Sequence, residues 1–402
     1  MISPAEAERL VLGSIRPIGR EDCGIGRAQG RVLAGEVSAD RDLPPFDRVM
    51  MDGYALRASS LVAGIRDFKV EAVQAAGMRA AKLGPGKDAC VEVMTGAVLP
   101  MGADCVVPCE HARREGPGVR LQAAPGEFKP GNAIHLRGTD LRAGDLAVPA
   151  GIRLTGREIA VAASCGCATV SVSRLPEIAV VTTGDELVQV GSPVAPHQIR
   201  RSNDFAIQAS LASSGYPNAE LFHLHDMLHE IEHMLWHIIA EYDFVLVTGG
   251  VSKGKFDYLP AELDRQGVRK VFQGVAQRPG KPFWFGLSSR QTPVFALPGN
   301  PVSAFTCLHR YVLPALEKAS GLSPLPHPVA ALASPVPADP EFTRFIPVRL
   351  SVGPGAERIA APVLVNTSGD CAGLVGTDGF VELPAGRAGF SAGHVAPLWM
   401  WV

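Results

Sequence analysis

Residues 294–305, VFALPGNPVSAF, contain the transition on which the fold prediction depends. The apolar run that ends at Leu297 has the length and composition of a buried β-strand. A Pro-Gly pair then turns the chain. Asn300 followed by Pro301 is typical of a helix start, because Asn is a good N-cap and Pro suits the first turn. The stretch therefore predicts a strand, a tight turn and a helix in succession.

An apolar run followed by a glycine-containing turn occurs twice more upstream. Residues 177–187, EIAVVTTGDEL, and residues 244–257, FVLVTGGVSKGKFD, each predict a strand, a turn and a following helix. Between them, residues 202–216 have the pattern of an amphipathic helix that ends at Gly215. Such alternation predicts a doubly wound, mostly parallel sheet, in which ligands bind outside the carboxyl ends of the strands. All three turns fall at that edge.

The rest of the chain predicts an α/β multidomain protein with three further parts. Residues 151–166 look helical and are expected to pack on the N-terminal helix, whereas residues 58–140 are rich in Gly and Pro with short β-like runs. A chain that returns to a helical region after a β unit makes that unit an insertion. The predicted parts are a helical linker region (1–42 and 141–175), an inserted β domain (43–140), the α/β domain (176–322) and a C-terminal β-barrel-like domain (323–402).

Composition restricts the class of protein. The 402 residues are 47% hydrophobic and 19% charged with a formal net charge of −2, which indicates a globular protein without the bulk charge suited to nucleic acid or a membrane surface. No apolar run reaches the roughly 18 residues that span a bilayer. Glu6 and Glu8 stand where a secretory signal needs basic residues, and the eight cysteines then favour reduced thiols. We therefore expect a cytoplasmic protein.

The predicted helix start after Leu297 suits an anion. The amides of Val302 and Ser303 are expected to lack intrahelical partners, and free N–H groups at a helix start favour negative ligands. Gly299 allows a ligand to approach the backbone closely. An ordinary strand-to-helix connection has the same sequence pattern, so the anion site is a hypothesis at this point.

Charged residues accompany two of the predicted turns. Asp185 and Glu186 follow the strand IAVV, and two acids at the carboxyl end of a strand can hold Mg²⁺ through oxygen ligands. The same acids could instead offset a helix dipole. Arg278 and Lys281 flank a Pro-Gly pair in QRPGKP, and two cations on a stiff turn suit a diphosphate or an oxyanion.

The turn after FVLVT partly matches a P-loop. Gly249, Gly254 and Lys255 satisfy the G-x4-G-K part of that motif, but Phe256 stands where Ser or Thr should bind Mg²⁺. The defect argues against a P-loop kinase or NTPase. A Gly-rich turn that lines a phosphate or pterin pocket, with Asp257 as a working acid, fits better.

Two other patterns resemble metal sites and are interpreted otherwise. His229, His233 and His237 lie four residues apart on a predicted helix, but the apolar residues of that helix gather on the opposite side, so the histidines are expected to face solvent. The short cysteine spacings at 105–109 and 165–167 have no second pair at zinc-site distance.

Taken together, seven motifs resemble the molybdopterin molybdenumtransferases, the MoeA and gephyrin E-domain family. The resemblance covers nearly the whole chain, and the motifs occur in the family's order. They are PPFDRVMMDGYAL (44–56), VMTGAVLPMGADCVVPCE (93–110), AVVTTGDEL (179–187), IRRSND (199–204), VLVTGGVSKGKFDY (245–258), RPGKP (278–282) and LPGNPVSAF (297–305).

The resemblance implies an elongated, four-part subunit with a molybdopterin-binding type of α/β domain, and a homodimer. It implies the last step of molybdenum cofactor synthesis. Adenylylated molybdopterin binds, molybdate is delivered to its dithiolene, and Mg²⁺-dependent cleavage of the diphosphate link releases AMP. A molybdopterin adenylyltransferase and molybdoenzyme chaperones are candidate partners. Sequence does not separate molybdate from tungstate.

Candidate site residues combine the turns with positions that match the family. Glu186 and Asp257 are the preferred carboxylates for Mg²⁺ or for positioning water. The resemblance adds Asp226 at a strand end, Asp52 and Thr95 from the β insertion, which a dimer would bring to the partner's crevice, and Ser368 near the C-terminus. The binding set is Gly184, Asp185, Gly249, Gly250, Ser252, Arg278, Gly280, Lys281, Pro298, Gly299, Asn300, Pro301, Ser303 and Ser368.

The sequence departs from the family pattern at three places. Residues 48–51 are Arg-Val-Met-Met instead of the usual Asn-Ser-Ala-Met, the usual lysine before PGKP aligns with Gly274, and Arg278 replaces the usual Lys. We therefore hypothesise that Arg48 supplies the missing cation. Two other functions fit part of the evidence. A stand-alone adenylyltransferase would not need the β insertion and C-terminal domain, and a gephyrin-like scaffold would carry extra partner-binding segments.

Overall fold

The N-terminal region begins with a capped helix and two short strands. In helix α1 (Pro4–Ser14), Ser3 Oγ accepts a hydrogen bond from the Glu6 N–H at 3.2 Å. Strands β1 (Arg20–Gly24) and β2 (Val37–Ser38) follow. A computed structural model of the chain describes residues 1–122, 124, 126–225, 227–250, 259–386 and 388–401.

Residues 48–135 form a β unit around its own apolar core. The six-stranded sheet has the order β7-β4-β6-β5-β9-β8, with β5 and β6 parallel and the other pairs antiparallel, while β10 pairs with β3. Tyr54, Phe68 and Val107 pack in its core. The elements are β3 (Arg48–Val49), β4 (Gly53–Leu56), α2 (Ala58–Val62), β5 (Asp67–Gln74), β6 (Ala89–Val93), β7 (Cys105–Pro108), β8 (Ala112–Glu115), β9 (Gly118–Leu121) and β10 (Ile134–His135).

After the β unit the chain returns to its starting strands. Strand β11 (Leu146–Val148) pairs with β2, and β12 (Thr169–Ser173) pairs with β1, both antiparallel, so the β unit is inserted between paired segments. Helix α3 (Gly156–Ser164) starts with a capping box formed by Thr155 and Glu158. Its Ala162 packs with residues of β1 and β12, whereas α1 packs elsewhere, so the expected packing of this helix on α1 is wrong.

Residues 178–319 form the predicted doubly wound unit. The sheet order is β16-β13-β17-β21-β20-β18; β16, β13, β17 and β21 are parallel, and β20 is antiparallel to both neighbours. Every residue of β13, β17 and β21 is buried, as expected for central strands covered on both faces. The elements are β13 (Ile178–Thr183), β14 (Leu187–Val188), β15 (Ile199–Arg200), α4 (Asn203–Ser213), β16 (Ala219–Leu224), α5 (Leu228–Glu241), β17 (Phe244–Thr248), α6 (Leu259–Arg265), β18 (Arg269–Gln273), β19 (Gln277–Arg278), β20 (Trp284–Leu287), β21 (Pro293–Leu297), α7 (Pro301–Cys307) and α8 (Leu313–Ala319).

Two local expectations in this unit have different outcomes. The strand, turn and helix predicted for 294–305 are confirmed, and α7 continues through a π-helical turn (Leu308–Val312) into α8. The helix expected directly after Gly184 is wrong. Residues 187–188 form β14 instead, which pairs parallel with β15 before α4 begins.

The C-terminal residues form a closed barrel. Strands β24, β25, β22, β28 and β26 pair in that order, and β26 pairs back to β24, so five strands close the ring. Strand β19 of the preceding unit adds to β24 in parallel. This confirms the β-barrel-like expectation. The elements are β22 (Val329–Leu332), β23 (Val336–Pro337), β24 (Thr343–Val352), β25 (Arg358–Pro362), β26 (Gly379–Leu383), β27 (Gly389–Phe390) and β28 (Val395–Met400).

A buried arginine joins three of these parts. Arg310, on the π-helical turn, donates to Glu8 of α1 and to Glu382 of β26, each at 2.9 Å. Its guanidinium also lies 4.3 Å from the Trp399 ring centroid. Buried ion pairs with two partners hold a defined geometry, because separating them leaves a charge without solvation. In the part of the chain that the structure describes, the helices fall short of the length and apolar character of a membrane span.

Candidate active site

A cleft of about 990 Å³ opens where the carboxyl ends of the parallel strands meet the barrel. Thr183 ends β13, Gly249 follows β17 and Pro298 follows β21, and all three line it. The opposite wall comes from barrel loops at residues 334–337 and 362–368. This position is the expected ligand site of a doubly wound sheet, and the volume suits an organic ligand.

The structure brings most of the predicted residues to this one cleft. They come from four separate turns and from the barrel, so chain positions nearly 200 residues apart share a wall. Predicted site residues that line the cleft are Gly184, Glu186, Gly249, Gly250, Arg278, Gly280, Lys281, Pro298, Gly299, Asn300, Ser303 and Ser368.

Two of these turns approach each other closely, and glycine is required at one of them, Gly249. Gly249 has a φ of +97°, and a Cβ there would lie 2.8 Å from the Thr183 carbonyl oxygen. A Cβ on Gly299 would lie 3.6 Å from the Gly249 Cα. Neighbouring strand ends therefore present bare backbone to the cleft.

Asn203 ties these strand ends together. Its Nδ2 donates to Thr248 Oγ1 at 3.0 Å and to the Gly299 carbonyl at 2.7 Å. Thr248 Oγ1 in turn donates to the Pro298 carbonyl at 3.2 Å. The first residue of α4 thus fixes the spacing between the β17 and β21 turns. Sequence reasoning quoted this asparagine within IRRSND but assigned it no role.

The helix start at Asn300 differs from the prediction. Asn300 has the extended backbone of an N-cap, but its side chain does not cap the helix; Nδ2 donates to Ser368 Oγ at 2.7 Å. The Val302 N–H, expected to be free, donates to the Ser368 carbonyl at 3.0 Å. The barrel loop therefore occupies one of the two amides that were expected to bind an anion.

The cationic turn is held by the barrel. Arg278 Nη1 lies 3.2 Å from Asp339 Oδ2, and Phe342 lies under both cations, with its centroid 4.8 Å from the Arg278 guanidinium carbon and 5.2 Å from Lys281 Nζ. Backbone N–H groups of Glu341 and Phe342 donate to Asp339 and, with Arg278, lower the pKa of its carboxyl group. Asp339 therefore stays ionised and restrains Arg278.

The acidic turn also carries exposed side chains. Glu186 and Asp185 are exposed, and Asp185 does not line the cleft but lies 3.3 Å from His225 Nδ1. His223 Nε2 donates to the Gly184 carbonyl at 3.1 Å. No group of three or more His, Cys, Asp or Glu residues with metal-binding geometry occurs among the described residues. One carboxylate of the described turn, that of Glu186, thus faces the cleft.

Other predicted residues lie away from the cleft or outside the described chain. Asp52 and Thr95 are together in the β unit, where Thr95 donates from Oγ1 and from N–H to Asp52 Oδ1, each at 2.7 Å, and lowers the pKa of Asp52. Arg48 contacts His135 at 2.9 Å in the same unit, and Pro301 lies just behind the cleft wall. Asp226, Ser252 and Asp257 lie outside the described residues.

The barrel wall was missed by sequence reasoning. Arg344 lines the cleft and donates from Nη1 to the Pro337 carbonyl at 2.7 Å, and Gln277 lines it from the start of the cationic turn. For Gln277, the available signal is its position directly before RPGKP. For Arg344, it is a cation within an alternating β run. Without the β19–β24 pairing, nothing in the sequence places residues 277 and 344 together.

The histidine helix behaves largely as expected. His229 and His233 on α5 are exposed, and His237 is half-buried with its ring 4.7 Å from that of His233. Ile231, Leu235, Ile238 and Ile239 are buried on the other face. The sequence pattern also assigned Leu228 to this apolar face, but Leu228 is exposed. All eight cysteines are free thiols.

Fold and cleft define a class of protein: an α/β enzyme unit whose glycine turns, cations and carboxylate suit a phosphorylated ligand. Three family models match the chain: the MoeA N-terminal region (domains I and II) over residues 2–166, the probable molybdopterin binding domain over 179–318, and the MoeA C-terminal region (domain IV) over 329–401. The chain belongs to the MoeA family of molybdopterin molybdenumtransferases and is an enzyme.

Similar proteins span most or all of the chain. A molybdopterin molybdenumtransferase of Synechocystis sp. is 40% identical over 402 residues, covering 100% of both chains, and one of Bacillus subtilis is 32% identical over 90% of this chain and 86% of its own. The crystal structure of the molybdopterin biosynthesis moeA protein from Pyrococcus horikoshii OT3 superposes with a TM-score of 0.84 at 27% identity, covering 100% of both chains. The predicted resemblance and fold class are confirmed.

Proposed function

We propose that the cleft binds adenylylated molybdopterin and molybdate and that the enzyme inserts molybdenum into the dithiolene while the diphosphate link is cleaved and AMP leaves. One observation carries the proposal: Glu186, Arg278, Lys281 and Ser368 line a single cleft with the bare glycine turns. The family and its named relatives support the same chemistry.

The cations and backbone suit the two anionic ligands. Arg278 and Lys281 offer positive charge to the diphosphate and to the molybdate dianion. The planar guanidinium and the compact ammonium group also provide several hydrogen-bond donors. Gly249 and Gly299 allow the pterin nucleotide to lie against the backbone. Ser303 and Ser368 add hydroxyl donors on the side of α7 and the barrel.

The described residues are compatible with a Mg²⁺ ion. Such an ion is usually held by one or two protein carboxylates together with phosphate oxygens and water, so the cleft-facing Glu186 is a sufficient protein donor. Asp257, outside the described residues, remains the second candidate from the sequence. When bound, the ion would offset the charge that develops as the phosphoanhydride is cleaved. The chain's own contribution is to hold the diphosphate between this carboxylate and the cationic turn.

A homodimer would complete the site. Asp52 and Thr95 lie in the β unit away from this chain's cleft, so they reach a cleft only on a partner subunit. Arg48 lies in the same unit, so its role as replacement for the family lysine depends on the same dimer. If Arg48→Ala left the molybdate dependence and turnover of the enzyme unaltered, Arg48 would not have that role.

The organisation and setting of the enzyme remain part of the proposal. We retain the boundaries 1–42 with 141–175, 43–140, 176–322 and 323–402; separate sheets and apolar clusters support them, except that Ala7 and Val11 of α1 pack in the core of the α/β unit. We propose a cytoplasmic enzyme without nucleic-acid or membrane partners. An adenylyltransferase would supply its substrate, and molybdoenzyme chaperones would receive its product.

The proposal is tested by measuring the release of AMP and the formation of active molybdenum cofactor. Purified enzyme, adenylylated molybdopterin, Mg²⁺ and molybdate are expected to yield both products, and omission of molybdate should prevent cofactor formation. Glu186→Gln should lower kcat by about 100-fold, because an oriented charge at a phosphoryl group commonly contributes that much. Glu232→Gln, an exposed carboxylate on α5, is the matched control. ATP hydrolysis without the pterin nucleotide would contradict the proposal.

A further inference from the structure

A chain of buried polar groups lies directly beneath the cationic turn. The Tyr311 hydroxyl donates to Gln277 Oε1, and Gln277 Nε2 donates to Cys307 Sγ at 3.4 Å. Cys307 Sγ lies 4.0 Å from the Gly280 carbonyl oxygen. Gln277 and Cys307 are fully buried, and burial raises the pKa of the Cys307 thiol, so it remains a neutral partner.

The turn packs against this network without spare room. Gly280 has a φ of +96°, and a Cβ there would lie 2.5 Å from Gln277 Nε2 and 2.8 Å from Cys307 Sγ. The Gly280 backbone can therefore take one position relative to the amide. The Gln277 amide therefore lies between Tyr311 and Cys307 and bonds to one of them at each end.

The network also connects the turn to the buried joint of the fold. The Tyr311 ring stacks on Phe283, with centroids 4.8 Å apart, and the Arg310 guanidinium carbon lies 5.2 Å from the Tyr311 centroid. Arg310 in turn binds α1 and the barrel through Glu8 and Glu382. The orientation of Gln277 is thus set by the same π-helical turn that fixes the barrel.

We infer that Gln277 is a positioning residue for oxyanion binding: its amide, oriented by Tyr311 and Cys307, fixes the turn on which Arg278 and Lys281 meet molybdate. The inference rests on the proposed function. Gln277 comes directly before Arg278, so a change of its orientation moves the first cation relative to the second. The pterin nucleotide also contacts the glycine turns, which this network does not touch. Loss of the network therefore weakens molybdate binding more than binding of the pterin nucleotide, whose diphosphate also meets the cations but whose contacts with the Gly249 and Gly299 turns remain.

The test variant is Tyr311→Phe, which removes the hydroxyl and keeps the ring stack. Its KM for molybdate should rise about fivefold, the usual size of one lost buried hydrogen bond. Its KM for adenylylated molybdopterin and its kcat at saturating molybdate should change less than about twofold. Gln277→Met, which keeps the volume and removes both ends of the amide, should raise the molybdate KM further and provides a second measurement if Tyr311→Phe folds poorly.

Tyr216→Phe is the matched control. Tyr216 is buried in the same apolar core and loses a hydrogen bond from Ser320 Oγ at 3.3 Å, but it lies away from the turn. Unchanged kinetics in this variant, with a raised molybdate KM in the others, would support the inference. Equal increases in both KM values, or an unchanged molybdate KM, would overturn it while leaving the proposed function intact. No molybdate-dependent product with the unmutated enzyme would overturn both.

Discussion

The acidic turn at residues 184–186 and the cationic turn at residues 278–281 face the same cleft on different supports. On the acidic side, the two carboxylates are exposed, Asp185 contacts the exposed His225, and His223 bonds to the Gly184 carbonyl. On the cationic side, the two cations are also exposed, but the buried Gln277 amide lies next to the turn, and Asp339 and Phe342 of the barrel contact the cations.

The difference indicates how the two turns act on a ligand. Groups that are fixed before binding lose less entropy when the ligand arrives, which suits recognition of a small, rigid oxyanion. An exposed carboxylate can instead adapt as a diphosphate and a metal ion enter together. We therefore expect substitutions that disturb the packing of the cationic turn to cost more stability than substitutions at the acidic turn, whereas loss of the Glu186 charge acts on kcat.

The largest contrast is expected between glycine substitutions in the two turns. Gly280→Ala should destabilise the protein by about 4 kcal/mol, because the left-handed backbone is strained and the new methyl group meets Gln277 and Cys307. Gly184 has a φ of +139°, and the nearest atoms to a Cβ there belong to the exposed carboxylate of Glu186, which can move aside. Gly184→Ala should therefore destabilise the protein by about 1–2 kcal/mol. Denaturant unfolding measures both.

A third glycine separates strain from crowding. Gly191 has a φ of +91° and nothing within 4 Å of a built Cβ, so Gly191→Ala reports backbone strain alone. If Gly280→Ala lowered the unfolding free energy only as much as Gly191→Ala, the close packing beneath the cationic turn would not contribute to stability. The proposed difference between the two turns would then be wrong.

Acid should weaken the helix behind the cationic turn. Burial lowers the pKa of His309 from 6.5 to about 4, and its Nδ1 donates to the Phe305 carbonyl at 2.9 Å. Between these values the unfolded chain binds a proton that the folded chain excludes. Stability is therefore retained above pH 6.5 and falls by about 3 kcal/mol as the pH drops to 4.

The control for this acid effect is His309→Asn, whose amide can still donate to Phe305 but does not titrate. Unfolding midpoints followed from pH 7 to pH 4 should decline less steeply in the variant. Identical slopes in both proteins would mean that other groups cause the acid sensitivity.

The sequence predicted the elements of the cleft that are local. An apolar run before a Pro-Gly pair, an asparagine N-cap and a glycine turn are set by nearby residues, so β21 and α7 could be placed closely. The same logic failed after Gly184, because the acids that suit a helix start also suit an exposed turn. Local pattern alone does not distinguish the two.

What the sequence could not provide is pairing across units. Ser368 meets Asn300 and Val302 only because the barrel closes over α7, and Gln277 meets Tyr311 only because β19 joins the barrel while the π-helical turn faces the same core. The hydrophobic pattern of a sequence does not predict contacts between segments that are 34 or 68 residues apart. The resemblance identified Ser368 as a site residue but not the amide that its carbonyl occupies.

A smaller effect is expected from Asp339→Asn on the barrel side of the cationic turn. The amide can still accept from the Glu341 and Phe342 N–H groups, but the charge that compensates Arg278 is lost. The KM for molybdate should fall about threefold at low salt, because the turn becomes more positive, and the gain should vanish near 0.5 M salt. A gain that persists at high salt would point to a change of shape instead of charge.

The smallest effect is expected at the acidic turn. His225→Asn removes the contact with Asp185, whose side chain is 66% exposed, as His225 is 55% exposed. Exposed ion pairs contribute little, because water solvates both groups when they separate, so unfolding free energy should change by less than about 0.5 kcal/mol. Denaturant unfolding of the variant and the unmutated protein measures the difference. A loss above about 1 kcal/mol would show that the acidic turn is held as firmly as the cationic one, and the proposed division of roles between the two sides of the cleft would no longer stand.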